Sequence, residues 1–369
     1  MKLAQNLKAT AVGQIPIDWD AATVSDVARI TTGSRNTQDK VEDGQFPFFV
    51  RSQTVERINS FSFDGEAVLT AGDGVGTGKV FHYINGPFDC HQRVYRISDF
   101  TDRMNGFYFF KYFSASFYDR IMSMTAKSSV DSVRREMIAD MALPVPPIDE
   151  QNRIANALKD IDDLIASIDA LIAKKRDIKQ AAMQQLLTGK TRLPGFEGEW
   201  KSRPLGDVLW VRHGRDQKSV QRVDGRFPIL ATGGEIGRTD TPLYSKPSVL
   251  IGRKGTIDRP QYMDQPFWTV DTLFYTEILG ENSPLFLFYV FQTIDWRSFN
   301  EASGVPSLSS KTIEGIVVNL PEPEEQAAIA LTLADFDHEI DGLEQRAAKS
   351  RLLKDGIMQQ LLTGRIRLV

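Results

Sequence analysis

The sequence predicts an α/β protein written twice: two small α/β modules separated by two long helices of coiled-coil character, related by a pseudo-two-fold internal repeat. Three observations predict it. The heptapeptide MQQLLTG at residues 183–189 returns at residues 358–364, and the match continues backwards without a gap. Within each copy, apolar residues recur at alternating steps of four and three. The two remaining segments carry shorter alternating and aromatic-rich runs that resemble each other loosely.

At the heptapeptide's offset of 175, Glu150-Gln151 falls on Glu325-Gln326, Ile154-Ala155 on Ile329-Ala330, Asp160 and Asp162 on Asp335 and Asp337, and Arg192-Leu193 on Arg367-Leu368. A match held over nearly fifty residues is duplication. Both copies open after prolines ("LPVPPIDEQ", "LPEPEEQ") with acids placed at the positive end of a helix dipole. Both close at a glycine, Gly189 or Gly364, suited to a left-handed C-cap. The stripe in the first copy is Ile154, Leu158, Ile161, Ile165, Ile168 and Ile172. The second answers with Ile329, Leu333, Phe336, Ile340, Leu343 and Ala347. Each helix should run about 36 to 38 residues, roughly 55 Å. After Ile172 the seam positions hold Lys175 and Lys179. A displaced set, Leu171, Ile178, Ala182 and Leu186, is expected to take over and to meet a further helical neighbour.

These helices divide the chain into a first module at 1–142, a first helical segment at 143–196, a second module at 197–318 and a second helical segment at 319–369. The modules align at an offset of 181 (Trp19 with Trp200, Asp26-Val27 with Asp207-Val208, Gly44 with Gly225), then at 179, pairing Gly76-Thr77 with Gly255-Thr256. "AVLTAG", "QRVYRI", "SVLIG" and "DTLFYT" read as strands. "NGFYFFKYFSASFYDRIMS" and "SPLFLFYVFQTIDWRSF" read as apolar helices.

Length alone, 369 residues, favours more than one domain. With 41% hydrophobic and 25% charged residues the chain has globular composition. One cysteine, Cys90, excludes an internal disulfide, and with four histidines it makes a structural zinc cage improbable, so no metal is expected. No run approaches the roughly 18 apolar residues of a membrane span, and the start lacks a secretory signal, so a cytoplasmic location is expected. A net charge of −4 excludes nucleic-acid coating by bulk charge and leaves local clusters to do any such binding.

Catalytic signatures are missing. "AGDGVGTGKV" invites a phosphate-cradle reading, but Asp73 stands where a P-loop needs glycine and Val80 where it needs Ser or Thr. A tight turn between strands, bringing backbone close to a ligand, fits better. His82, Cys90 and His91 lie within ten residues but lack further ligands to complete a metal site. What remains is basic side chains near glycine turns. In the first module these are Arg35, Lys40, Arg51, Lys79, Arg93 and Arg134; in the second, Arg215, Lys218, Arg253, Lys254, Arg259 and Lys311. Arg and Lys hold phosphates and, in bidentate geometry, guanine, so these are the candidate DNA contacts.

The pairs "LPVPPIDEQNRIANAL"/"MQQLLTGKTRLPGF" and "LPEPEEQAAIALTL"/"MQQLLTGRIRL" together resemble the specificity subunit of type I restriction-modification systems, and the likeness runs through essentially the whole chain. The resemblance implies that the modules are target recognition domains, each reading one half of a split double-stranded DNA site, and that the two long helices pack antiparallel as a spacer. It implies a non-catalytic chain whose partners are two modification subunits, carrying S-adenosylmethionine and methylating adenine, and restriction subunits using ATP and magnesium. The stripe residues become a helix seam or a partner-binding face. The chain departs from the pattern where "SSVDSVRREMI" replaces the glycine-containing "GVPSLSSKTI", so Ser129 to Arg134 need not act as Gly304 to Ser309 do. Two other readings are a scaffold without DNA readout, which salt-dependent duplex binding would reject, and a nucleotide-binding enzyme using the Gly72–Lys79 loop, which an ATP-binding assay would test.

Overall fold

The computed structural model describes residues 2, 3, 6–124 and 132–369. The chain forms two compact units, Met1–Ile168 with Arg346–Val369, and Asp169–Gln345. Each therefore consists of one module, the start of one repeated helix and the end of the other.

In the first unit a six-stranded sheet runs in the order Arg29–Thr32, Val94–Ser98, Phe63–Ala71, Phe81–Cys90, Phe46–Phe49, Val55–Ile58. Its pairings are antiparallel except that between Phe46–Phe49 and Phe81–Cys90. Three helices, α1 (Val24–Val27), α2 (Gly106–Ser123) and α3 (Arg135–Ala139), precede the long α4 (Ile148–Leu186). Asn105 caps α2 by accepting the Tyr108 N–H. Phe109, Phe113 and Phe117 recur every fourth residue on its buried face and stack at 5.4 and 4.5 Å between centroids, forming the core beneath the sheet.

In the second unit the strands form two four-stranded sheets beside a two-stranded pair, Lys201–Pro204 with Val317–Leu320. One four-stranded sheet is Leu209–Arg212, Leu273–Ile278, Ser248–Gly252, Gln261–Met263; the other is Gln221–Arg222, Gly234–Thr239, Phe227–Ala231, Trp268–Thr269. Helices α5 (Pro284–Thr293) and α6 (Ser310–Glu314) precede the long α7 (Pro323–Leu362). The apolar segment expected as one helix to Phe299 breaks after α5 and resumes as a short 3-10 turn, Trp296–Phe299. The reason is local: the Trp296 indole turns back, fully buried, to donate to the Phe291 carbonyl at 2.8 Å.

Within each unit the two long helices pass antiparallel. In the second unit Lys175 pairs with Glu339, Lys179 with Asp337 and Arg176 with Glu344, each at 2.5 Å. In the first, Asp162 on α4 meets Lys354 on α7 at 2.7 Å. Asp162–Lys354 and Asp337–Lys179 are one pair of repeat positions seen twice. Ile154, Leu158, Ile168, Ile172, Ile329, Leu333, Ile340 and Ala347 are buried; Ile161, Ile165, Phe336 and Leu343 are half-buried. Of the expected displaced set, Leu186 is buried and Ala182 packs against the core of the second unit, and only Leu171 and Ile178 are corrected. Lys175 and Lys179 keep the seam by reaching acids on α7, while Leu171 and Ile178 stay 40% and 41% exposed. Ionic pairing extends the contact without rotating the helix.

Each module is latched to its helices by the same residues. Glu150, 2% exposed at the start of α4, accepts from the Trp19 indole at 2.9 Å and from Arg367 at 2.7 to 3.1 Å. In the second unit Glu325 accepts from Trp200 at 3.3 Å and from Arg192 twice at 2.6 Å. The neighbouring glutamines seat the module helices. Gln151 accepts the N–H of Asn105, the cap of α2, at 2.9 Å; Gln326 accepts that of Ser283, the cap of α5, at 3.0 Å. Gly364 and Gly189, at φ of 68° and 70°, let the chain leave each long helix in a conformation other residues resist.

Candidate nucleic-acid interface

The turn after Phe63–Ala71 organises the candidate contacts of the first module. Strands Phe63–Ala71 and Phe81–Cys90 form an antiparallel hairpin, and residues 72–79 are its turn. Gly74 takes φ 81° and the Thr77 N–H returns to its carbonyl at 3.1 Å. Asp73 points back across the turn and binds Arg51 through Oδ1 and Arg93 through Oδ2, each at 2.8 Å. Burial pushes the Asp73 carboxyl upward, but the two guanidinium groups outweigh it and hold it below the ordinary carboxylate range. His91 lies beside them, buried, with Nδ1 accepting the Arg93 N–H at 3.0 Å. Burial, then the Arg51 charge, lowers its pKa, so it stays neutral.

The second module builds the matching turn with different side chains. Gly255 takes φ 88°, the Arg253 N–H bonds the Thr272 carbonyl at 2.8 Å, and the Gly255 N–H bonds that of Pro306 at 2.9 Å. Lys254 bridges Ser307 as Asp73 bridges Ser132. These bonds make Gly74 the counterpart of Gly255, correcting the pairing of Gly76 with Gly255. The first turn is two residues longer, and the extra residues fall inside the loop, where no strand alternation marks register.

Of the sequence-derived contacts, Arg51 and Arg93 come together on Asp73. Arg35 stands on the neighbouring loop, its Nε donating to Asp89 at 3.0 Å and its carbonyl accepting from Gln92. Arg215 lies exposed on the corresponding loop, its N–H bonded to the Thr269 carbonyl. Arg253 and Lys254 form the second turn itself, and Lys218 is exposed three residues beyond Arg215. Lys40 lies elsewhere, paired with Glu56 at 3.2 Å. Lys79 leaves its turn to sit 5.5 Å over the Tyr118 ring of α2. Arg134 is the cap residue of α3, Lys311 lies on α6 and Arg259 follows the ion-paired Asp258; all three are exposed.

Two residues of this surface escape a search for cations. Asp73 is acidic, yet it orients both arginines; its position between Gly72 and Gly74 was the available signal. Val75, at the tip of the turn, is fully exposed. Ser129, Val130 and Asp131 of the departing "SSVDSVRREMI" segment lie outside the described residues. Ser132 and Val133 do what Ser307 and Leu308 do: the Val133 N–H bonds the Gly72 carbonyl at 2.7 Å, and the Leu308 N–H bonds that of Arg253 at 3.0 Å.

His82, Cys90 and His91 are engaged separately. His82 Nε2 lies 3.0 Å from the Ser52 carbonyl, and burial pushes the Cys90 thiol up to about 12.

Residues 16–174 and 197–351 match the family described as the type I restriction modification DNA specificity domain. The EcoDI specificity subunit of Escherichia coli is 29% identical over 170 residues, 46% of this chain and 36% of that protein, so that match spans about a third of the relative. The MjaVIII specificity subunit of Methanocaldococcus jannaschii is 22% identical over 421 aligned positions, covering 98% of this chain and 96% of that protein. Among solved structures, the S subunit of a type I restriction-modification system from M. genitalium shares the fold with a TM-score of 0.72, at 17% identity over 98% of this chain and 99% of that one. With one matched segment in each half of the duplication and together most of the sequence, the chain belongs to the type I restriction modification DNA specificity domain family.

Proposed function

We propose that the chain is the DNA sequence-specificity subunit of a type I restriction-modification complex, each module reading one half of a bipartite duplex site. The observation that carries this reading is the contrast between the latches and the loops. Trp, Glu and Arg recur at the latches of both modules, whereas the turns of the two modules carry different side chains. A scaffold that repeats its frame and varies its exposed loops is suited to two targets read by one common machine.

In this reading the chain performs no chemistry. Two modification subunits supply S-adenosylmethionine-dependent adenine methylation, and restriction subunits supply ATP- and magnesium-dependent cleavage. Arg35, Arg51, Arg93, Arg215, Lys218, Arg253 and Lys254 contact duplex DNA. The partner face is the outer side of α4 in the second unit, where Leu171 and Ile178 stand seven residues apart and are 40 and 41% exposed.

The test is co-expression with a methyltransferase subunit followed by methylome sequencing. A methylated motif with two defined halves around an unspecified gap is expected, together with duplex binding that weakens linearly in log salt. Co-purification without sequence-specific methylation or binding would refute the reading.

A further inference from the structure

The two modules share one backbone frame at the turn and fill it with opposite chemistry. The His91 N–H bonds the Phe49 carbonyl at 2.9 Å, as the Val270 N–H bonds that of Leu230 at 3.0 Å. The Gly72 N–H bonds the Arg93 carbonyl at 2.8 Å, as Arg253 bonds Thr272. These bonds equate Arg51 with Thr232, Asp73 with Lys254 and Arg93 with Thr272. A third relation agrees: a Cβ on Gly74 would lie 3.8 Å from Arg51 Nη1, and one on Gly255 would lie 3.7 Å from Thr232 Oγ1.

So Arg, Asp and Arg in one module stand where the other has Thr, Lys and Thr. Two cations with one anion carry the same formal charge as one cation. The exchange therefore leaves attraction to a polyanion nearly unchanged and alters the pattern of donors and acceptors. Pattern is what distinguishes bases, whereas charge holds phosphates.

We infer that positions 51, 73 and 93 are the specificity-determining set of the first module, Asp73 holding Arg51 and Arg93 as a paired reader of guanine, and that 232, 254 and 272 are the set of the second. The inference rests on the modules binding duplex DNA. Each arginine gives one Nη1 donor to Asp73 and keeps further N–H groups for a ligand. Guanine offers two acceptors, N7 and O6, on its major-groove edge, the match for a guanidinium fork. Asp73 weakens the hold of the two arginines on a fully charged phosphate more than on the neutral acceptor edge of a base. Because the ion pairs already restrain both side chains, less rotamer freedom is lost on binding. Asp73 is a positioning residue, and Arg51 and Arg93 are the contacts.

The experiment uses the full chain co-expressed with its methyltransferase partner, reading the methylated motif. The triple variant R51T/D73K/R93T is expected to change the first half of the motif and leave the second half intact. The near-isosteric D73N is expected to reduce discrimination at a guanine of the first half by about tenfold or more, as loss of an oriented bidentate contact would. An unchanged motif in the triple variant overturns the inference. Equally, a uniform fall in methylation at every site, with the motif preserved, would make the set a phosphate clamp and overturn it. If the triple variant fails to assemble, D73N decides, an unchanged guanine preference counting against the inference. Failure of the wild-type complex to show any bipartite motif would instead sink the functional reading on which it rests.

Discussion

Arg367 and Glu150, 217 positions apart, are joined by three hydrogen bonds in a buried site that also receives the Trp19 indole. Arg367 divides its guanidinium between Glu150 and Asp18, whose carboxylate it holds below the ordinary range. The pair ties the end of the chain to the start of α4 and to the first module.

Replacing Glu150 by Ala should cost the first unit about 3 kcal/mol, since Arg367 would be left with Asp18 alone in a buried position. Urea denaturation checks this, and Glu325→Ala should destabilise the second unit by less, because Arg192 is more open to water than Arg367. A midpoint unmoved by both changes would show that neither latch carries stability.

Two leucines on α4 separate its faces. Leu158 is fully buried and Leu171 is 40% exposed. Leu158→Asp should destabilise by several kcal/mol by burying a charge without a partner, whereas Leu171→Asp should stay within about 0.5 kcal/mol. Equal melting temperatures for the two variants would contradict the seam.

Acid should loosen the contact of α2 with the long helices. Burial raises the Asp162 pKa, but Lys111 and Lys354 together hold it below its ordinary 3.8. A depressed carboxylate contributes stability above its unfolded value and loses it as pH falls through the folded one. The loss should therefore develop below about pH 4. In a urea series from pH 6 to 3, Asp162→Asn should flatten part of the decline; an identical slope would exclude this pair as its source.

Val75 offers a test that leaves the core untouched. Val75→Asp should leave thermal stability unchanged, because the side chain meets nothing. In the assembled complex it should weaken duplex binding on the order of tenfold, about 1.4 kcal/mol, by facing an anion toward phosphates. The deficit should shrink as salt rises. Unaltered affinity at low salt would remove this turn from the interface.

The long helices were legible in the sequence because period and repetition say the same thing: Ile154, Leu158, Ile329 and Leu333 are buried as their spacing requires. Leu171 and Ile178 depart from the expected second face because apolar periodicity ignores what a lysine stem can reach across a seam. The pairing of Gly76 with Gly255 failed for a related reason, since a two-residue difference inside a turn leaves no trace in strand alternation. A search for cations finds Arg51 and Arg93 but not the acid between them. Proximity of three loops is a tertiary fact, and only the fold supplies it.

The latches also bear on how such a chain can change. Arg192 follows the first repeated helix yet fastens the second module, and Arg367 follows the second yet fastens the first. Because both ends of each fastening are the same residues, a gene crossover within either repeat still delivers an arginine to a waiting glutamate. New readers can be spliced in by exchange while the hardware that seats them is inherited intact.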